Sequence, residues 1–167
     1  VDPAFLALPL RALADAALQS ARSAGASHAD LRVERLRHQD VSLRDASLEN
    51  LSDDVTTGLA VRVVVDGTWG FASSPIVTED EIRRITRLAT EVARSSAVAK
   101  KTDVRLAPVP AYQVYWPTPI QKDPDSIARE AKQEFVQKVV DAVVKNKDVQ
   151  NVNVSVNYTV STPAGTR

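Results

Sequence analysis

The sequence predicts an α+β fold: a curved antiparallel sheet with helices packed mainly on one face, in the order α-β-β-β-β-α-arm-α-β. Three stretches carry that expectation. Residues 58–74, GLAVRVVVDGTWGFASS, read as strand, tight turn and strand. Leu59, Val61, Val63 and Val65 alternate with Ala60, Arg62 and Val64, and Asp66-Gly67 supplies the two positive-φ positions of a two-residue hairpin loop. Residues 10–21 set Leu10, Leu13, Ala14, Ala17, Leu18 and Ala21 along one helical face. Residues 151–160 alternate Asn, Ser and Thr with Val152, Val154, Val156, Tyr158 and Val160, a strand with one wet and one apolar face.

Taken in order, the first helix has Pro9 suited to its first turn and Gly25 to its left-handed stop. Residues 29–44 contain no Gly, Pro or Asn, and Leu31, Val33, Val41 and Leu43 all fall on odd positions, which reads as one long, bent strand, with two shorter strands as the alternative. Asp45-Ala46 turns the chain, although alanine at positive φ is strained by roughly 1 kcal/mol relative to glycine, so a longer loop is the alternative. A short strand follows, then a kink or bulge at Ser52-Asp53-Asp54, then the central hairpin. Thr78 and Glu81 stand in capping-box spacing ahead of a helix whose apolar stripe is Ile82, Ile85, Ala89, Val92 and Ala93.

Pro108, Pro110, Pro117 and Pro119 then punctuate an extended arm holding Tyr112, Tyr115 and Trp116. Asp123-Pro124 reads as N-cap and first residue of a third helix with Ile127, Ala131, Phe135, Val139, Ala142 and Val143 inward, and the final strand ends the order. The domain boundaries expected are 1–98 for the helix and sheet domain, 99–122 for the arm and 123–167 for a helix-strand extension.

The hairpin loop fixes its register: Val64 opposite Trp69, Val63 opposite Gly70, Arg62 opposite Phe71, Val61 opposite Ala72. One face is a trough of valines against small residues, shaped for a helix. The other carries Arg62, Val64, Trp69 and Phe71, with Arg62 placed to lie on the Phe71 ring. So apolar a sheet face makes these four residues a candidate interface, with the Pro-rich arm carrying Tyr112, Tyr115 and Trp116 as the alternative cover.

Charge and composition exclude several classes. Twenty-one basic residues balance 21 acidic ones, which argues against a nucleic-acid partner or an acidic membrane surface. The chain has no cysteine, hence no disulfide framework and no thiolate ligand, in keeping with a reducing cytoplasm. No apolar run approaches the ~20 residues of a membrane span, and the first residues lack the form of a signal peptide.

The search for chemistry returns structural roles. His28 and His38 sit in strand sequence, each with an aspartate two residues on, short of the three ligands a catalytic zinc needs. Ser73-Ser74 lacks a nucleophile elbow. Glu79, Asp80 and Glu81 suit the first turn of a helix, and Asp53-Asp54 an ordinary loop rather than a cation site. The five glycines form no phosphate-cradling loop. No residue is assigned as catalytic or metal-binding.

A set of segments in order does point to a family. Gly25-Ala26, Ala29-Asp30-Leu31-Arg32, Val41-Ser42-Leu43-Arg44-Asp45, Gly58-Leu59-Ala60-Val61-Arg62-Val63 and Asp66-Gly67-Thr68-Trp69-Gly70-Phe71-Ala72-Ser73 resemble the N-terminal domain of the TldD/PmbA family, known as modulators of DNA gyrase and as zinc metallopeptidases. The resemblance covers most of residues 10–98 and continues more loosely through Pro117-Thr118-Pro119-Ile120 and Asp123-Pro124. Its wording is nearer the metal-bearing TldD branch than the PmbA (TldE) branch.

The resemblance implies a cytoplasmic peptidase acting on unfolded or short peptides. It also implies zinc in the full-length family, a homo- or hetero-dimer partner of the same family, and a catalytic C-terminal domain. The family's H-E-x-x-x-H motif does not occur in these residues, and Asp45-Ala46 stands where relatives commonly have Asp-Gly. What the resemblance implies is therefore an N-terminal domain without the catalytic half, inactive alone and holding no cofactor. The alternative is a non-catalytic assembly or binding module of the PmbA type.

Overall fold

A computed structural model describes residues 3–110 and 113–166. The elements are α1 (Pro3–Leu6), α2 (Leu10–Ser23), β1 (His28–Arg44), β2 (Ser47–Val65), β3 (Thr68–Ser74), α3 (Glu79–Ser96), α4 (Arg129–Val143) and β4 (Asn153–Thr166). The strands form one open antiparallel sheet in the order β3-β2-β1-β4, with α3 packed on β3 and on α2. Contacts of Glu34 with Ser161, His38 with Thr159 and Asp45 with Val152 run in opposite sense along β1 and β4, which makes that pair antiparallel too.

The central hairpin forms with the register its loop dictates, Val64↔Trp69, Val63↔Gly70, Arg62↔Phe71 and Val61↔Ala72. Asp66 and Gly67 take φ of 51° and 68°, the left-handed pair that matches strand twist. The first turn closes in two residues as well. Asp45 (φ 48°) and Ala46 (φ 67°) bear the left-handed strain, while Asp45 Oδ1 accepts the Val152 amide at 2.9 Å. Gly25, at φ 79°, stops α2 as expected. Thr78 caps α3, its hydroxyl accepting the Glu81 amide at 3.3 Å.

Four local expectations change. Ser52-Asp53-Asp54 does not break the chain's second strand: β2 runs unbroken over Ser47–Val65, because cross-strand partners satisfy the Asp53 carboxylate (below). Asp123-Pro124 caps a separate 3₁₀ turn, Pro124–Ser126; Ile127 is extended, and α4 starts only at Arg129. The inward face of α4 is Lys132, Val136 and Val140, not the stripe through Ala131 and Phe135, and Phe135 is 59% exposed. The last strand continues through Pro163 to Thr166, as an edge strand allows.

The described residues divide into two compact units, the first drawn from Val1–Leu36, Thr56–Val109 and Ser161–Arg167 and the second from Arg37–Val55 and Pro110–Val160. The first unit buries Leu59, Val61, Val63, Val65 and Ala72 of the hairpin under Leu13, Ala17 and Ala21 of α2 and Ile82, Ile85, Ala89 and Ala93 of α3. The second has a smaller core of Val41, Leu43, Val136, Val140 and Val152.

In the first unit the helix backbone reaches the sheet at Gly70. A Cβ there would fall on the Ala89 carbonyl oxygen and 2.8 Å from the Ala93 nitrogen, both main-chain atoms of α3. Gly70→Val must therefore lift α3 from β3, at a cost of at least about 1–3 kcal/mol. Urea denaturation should show a lower midpoint; an unchanged midpoint would contradict this packing.

Candidate functional site

The face of the first unit opposite α2 and α3 gathers the chain's most unusual surface side chains. β1 contributes His28 and Asp30, β2 contributes Arg62, and β3 contributes Trp69 and Phe71. Asp30 Oδ2 accepts from Arg62 Nε at 2.9 Å and from its terminal nitrogen at 2.8 Å, and lies 3.2 Å from His28 Nε2. These bonds draw the guanidinium over the Trp69 ring, 4.6 Å from its centroid, while His28 meets the same ring edge-on at 5.9 Å.

The expected stacking of Arg62 on Phe71 is thus replaced by stacking on Trp69, because Asp30 fixes where the guanidinium can go. Phe71 is left 57% exposed. Val64 is already buried and offers no surface to a partner.

An open groove of about 360 Å³ lies on the same sheet face, lined by Arg32 and Glu34 of β1, Thr56, Gly58 and Ala60 of β2, and Ser73 of β3. Glu34 is engaged by the Ser161 hydroxyl at 2.6 Å. Ser27 Oγ donates to the Val64 carbonyl at 3.2 Å, so the hydroxyl next to His28 is committed to the backbone. His38 pairs with Thr159 at 3.0 Å. Among the described residues no group of three or more His, Cys, Asp or Glu could hold a metal ion, so these residues do not fit a zinc site.

The second unit holds a polar arrangement that the sequence reading passed over, a closed ring of six side chains. Lys132 Nζ donates to Gln39 Oε1 (2.7 Å) and to the Tyr158 hydroxyl (3.2 Å), and lies 4.3 Å from the centroid of the Tyr158 ring. Gln39 donates to Asp53 (2.8 Å), Tyr158 donates to Asp125 (2.6 Å), and Arg37 closes the ring by bonding Asp53 twice at 2.9 Å and Asp125 at 3.3 Å.

Two cations and two carboxylates are joined through two neutral relays. The bond from Arg37, and then that from Gln39, holds the Asp53 carboxyl down at about 2. Burial, reinforced by the bond to Asp125, pushes the Tyr158 phenol well above its usual range. The hint in the sequence was Gln39 and Tyr158 at strand positions in phase with apolar neighbours.

Of the arm aromatics, Tyr115 is 71% and Trp116 83% exposed; Tyr112 lies outside the described residues.

Comparison with known proteins places the chain beside one family. Residues 29–93 match the family model of PmbA/TldA metallopeptidase domain 1. A metalloprotease of Methanocaldococcus jannaschii is 27% identical over 131 residues, 78% of this chain and 28% of that protein. A zinc metalloprotease TldD homolog of Saccharolobus solfataricus is 34% identical over 65 residues, 39% of this chain and 14% of that protein. A Bacteroides thetaiotaomicron structure named for modulation of DNA gyrase superposes with a TM-score of 0.68 at 19% identity, covering 93% of this chain and 38% of the other. TldE from Thermococcus kodakarensis superposes with a TM-score of 0.57 at 15% identity, covering 90% and 34%. The resemblance to the TldD/PmbA family read from the sequence is borne out at the level of the family, and the chain spans well under half the length of these relatives.

The acid limb of stability provides a test of the ring. The Asp53 carboxyl sits below its ordinary 3.8, so its contribution is present above about pH 4 and is lost as pH falls toward 2. Asp53→Asn should be less stable than the parent at pH 7, and the gap should close between about pH 4 and 2 in urea midpoints measured across pH. A gap that does not depend on pH would mean that the carboxylate charge is not what Arg37 and Gln39 hold.

Proposed function

With residues 29–93 as a PmbA/TldA first domain, we propose that the chain is the N-terminal, non-catalytic domain of a TldD-like cytoplasmic metallopeptidase that hydrolyses unfolded or short peptides. The match over residues 29–93 is the observation that carries this reading. The chain covers 28% and 14% of these two relatives, which supports a reading in which it is one domain of a larger enzyme. His28 and His38 serve the sheet, each hydrogen-bonded within it.

Metal analysis after dialysis against a weak chelator, run beside a peptide-hydrolysis assay, tests the division of labour. The chain alone should retain no stoichiometric zinc and cleave nothing; stoichiometric zinc requiring both histidines would overturn it. A coding sequence continuing past Arg167 should carry H-E-x-x-x-H, and a continuation without it would favour the non-catalytic PmbA-type module.

The second element of the proposal is that Arg62, Trp69 and Phe71 form an interface with a partner of the same family. The exposed Phe71 ring beside the Arg62–Trp69 stack supports it. Phe71→Lys should shift sedimentation toward monomer and leave the denaturation midpoint unchanged, because that ring is not in the core. Unchanged association would remove Phe71 from the interface.

A further inference from the structure

The ring of six side chains in the second unit does more than satisfy its own members. We propose that it sets the rotation of α4 about its axis, holding outward an apolar stripe that the helix's own pattern would bury. Ala131, Phe135, Val139 and Ala142 recur at i, i+4, i+8 and i+11, a continuous apolar stripe of which Ala131, Phe135 and Ala142 are exposed and Val139 is half-buried. Yet the residues turned inward are Lys132, Val136 and Val140, one position further along, a rotation of about 100°.

The surface beneath the helix, Val41, Leu43 and Val152 flanked by Val154 and Val156, is apolar and offers no reason to prefer a lysine to a phenylalanine. Lys132 is nonetheless 7% exposed and Phe135 59%.

What reverses the expected order is the reception given to the Lys132 ammonium. Neither of its hydrogen-bond acceptors is a carboxylate: Gln39 and Tyr158 are neutral, and each donates in turn to an acid, Asp53 and Asp125. Arg37 clamps both acids, so the buried charge is balanced at one remove. A buried ammonium is tolerable only while its donors are met. With the acceptors gone, or with the ammonium itself gone, the larger apolar stripe decides, and α4 turns to lay Phe135 on the valines.

A thiol placed on the outward stripe reads this rotation, since the chain has no cysteine of its own. Ala131 is exposed, and Ala131→Cys should react with a maleimide at the rate of an open thiol in the otherwise unaltered chain. In a Lys132→Ala background, and independently in a Gln39→Leu, Tyr158→Phe background, that rate should fall at least about tenfold with helix content retained by circular dichroism. A rate that is unchanged or raised in either background overturns the proposal: the first would mean that α4 holds its rotation without the ring, the second that it frays rather than turns.

Discussion

The approach of the α3 main chain to β3 at Gly70 is the constraint on which the first unit rests. Burying Val61, Val63 and Val65 requires a helix low enough to touch them, and side-chain volume on β3 would prop that helix away. Gly70 and Ala72 face those valines across the hairpin and leave the space. The register follows from the Asp66-Gly67 loop, since slipping it by one residue would turn the glycine to the other face. Turn chemistry, strand period and helix packing thus agree, the kind of local consistency that singles out one structure from its competitors.

Polar satisfaction explains what apolar pattern does not. An aspartate pair inside a strand reads as a break because an unpartnered carboxylate would be costly near an apolar sheet. Arg37 and Gln39 on the neighbouring strand remove that cost, and β2 runs straight through. The same bonds begin the ring that ends at Lys132. Its contribution is better described as specificity than as net stability, because charges brought out of water recover little more than their desolvation cost. What such a network does well is penalise every arrangement that leaves a member unpaired.

That distinction accounts for what was legible in the sequence. The hairpin, its register, the α3 cap, the Gly25 stop and the wet-and-apolar last strand each rest on short-range rules, and each forms as read. The inward face of α4, the continuity of β2 and the place of the Arg62 guanidinium all depend on partners distant in sequence: Gln39 for Lys132, Arg37 for Asp53, Asp30 for Arg62. Periodicity is blind to such partners. It ranks helix faces by hydrophobicity and has no means of knowing that a lysine will be met on arrival. The candidate surface was legible in Arg62, Trp69 and Phe71, which the hairpin brings together, but not in His28 and Asp30, which only the β1 contact adds.

The Arg62 arrangement also bears on what kind of surface this is. A guanidinium stacked on tryptophan and bonded through two nitrogens to one carboxylate oxygen has little freedom left to lose. Ordering of long side chains is a main cost of association, and here it has been met before any partner arrives. Trp69 and Arg62 form a rigid base, and Phe71 stands beside them with most of its ring in water. A fixed aromatic and arginine cluster with an exposed apolar edge has the composition of an interface centre.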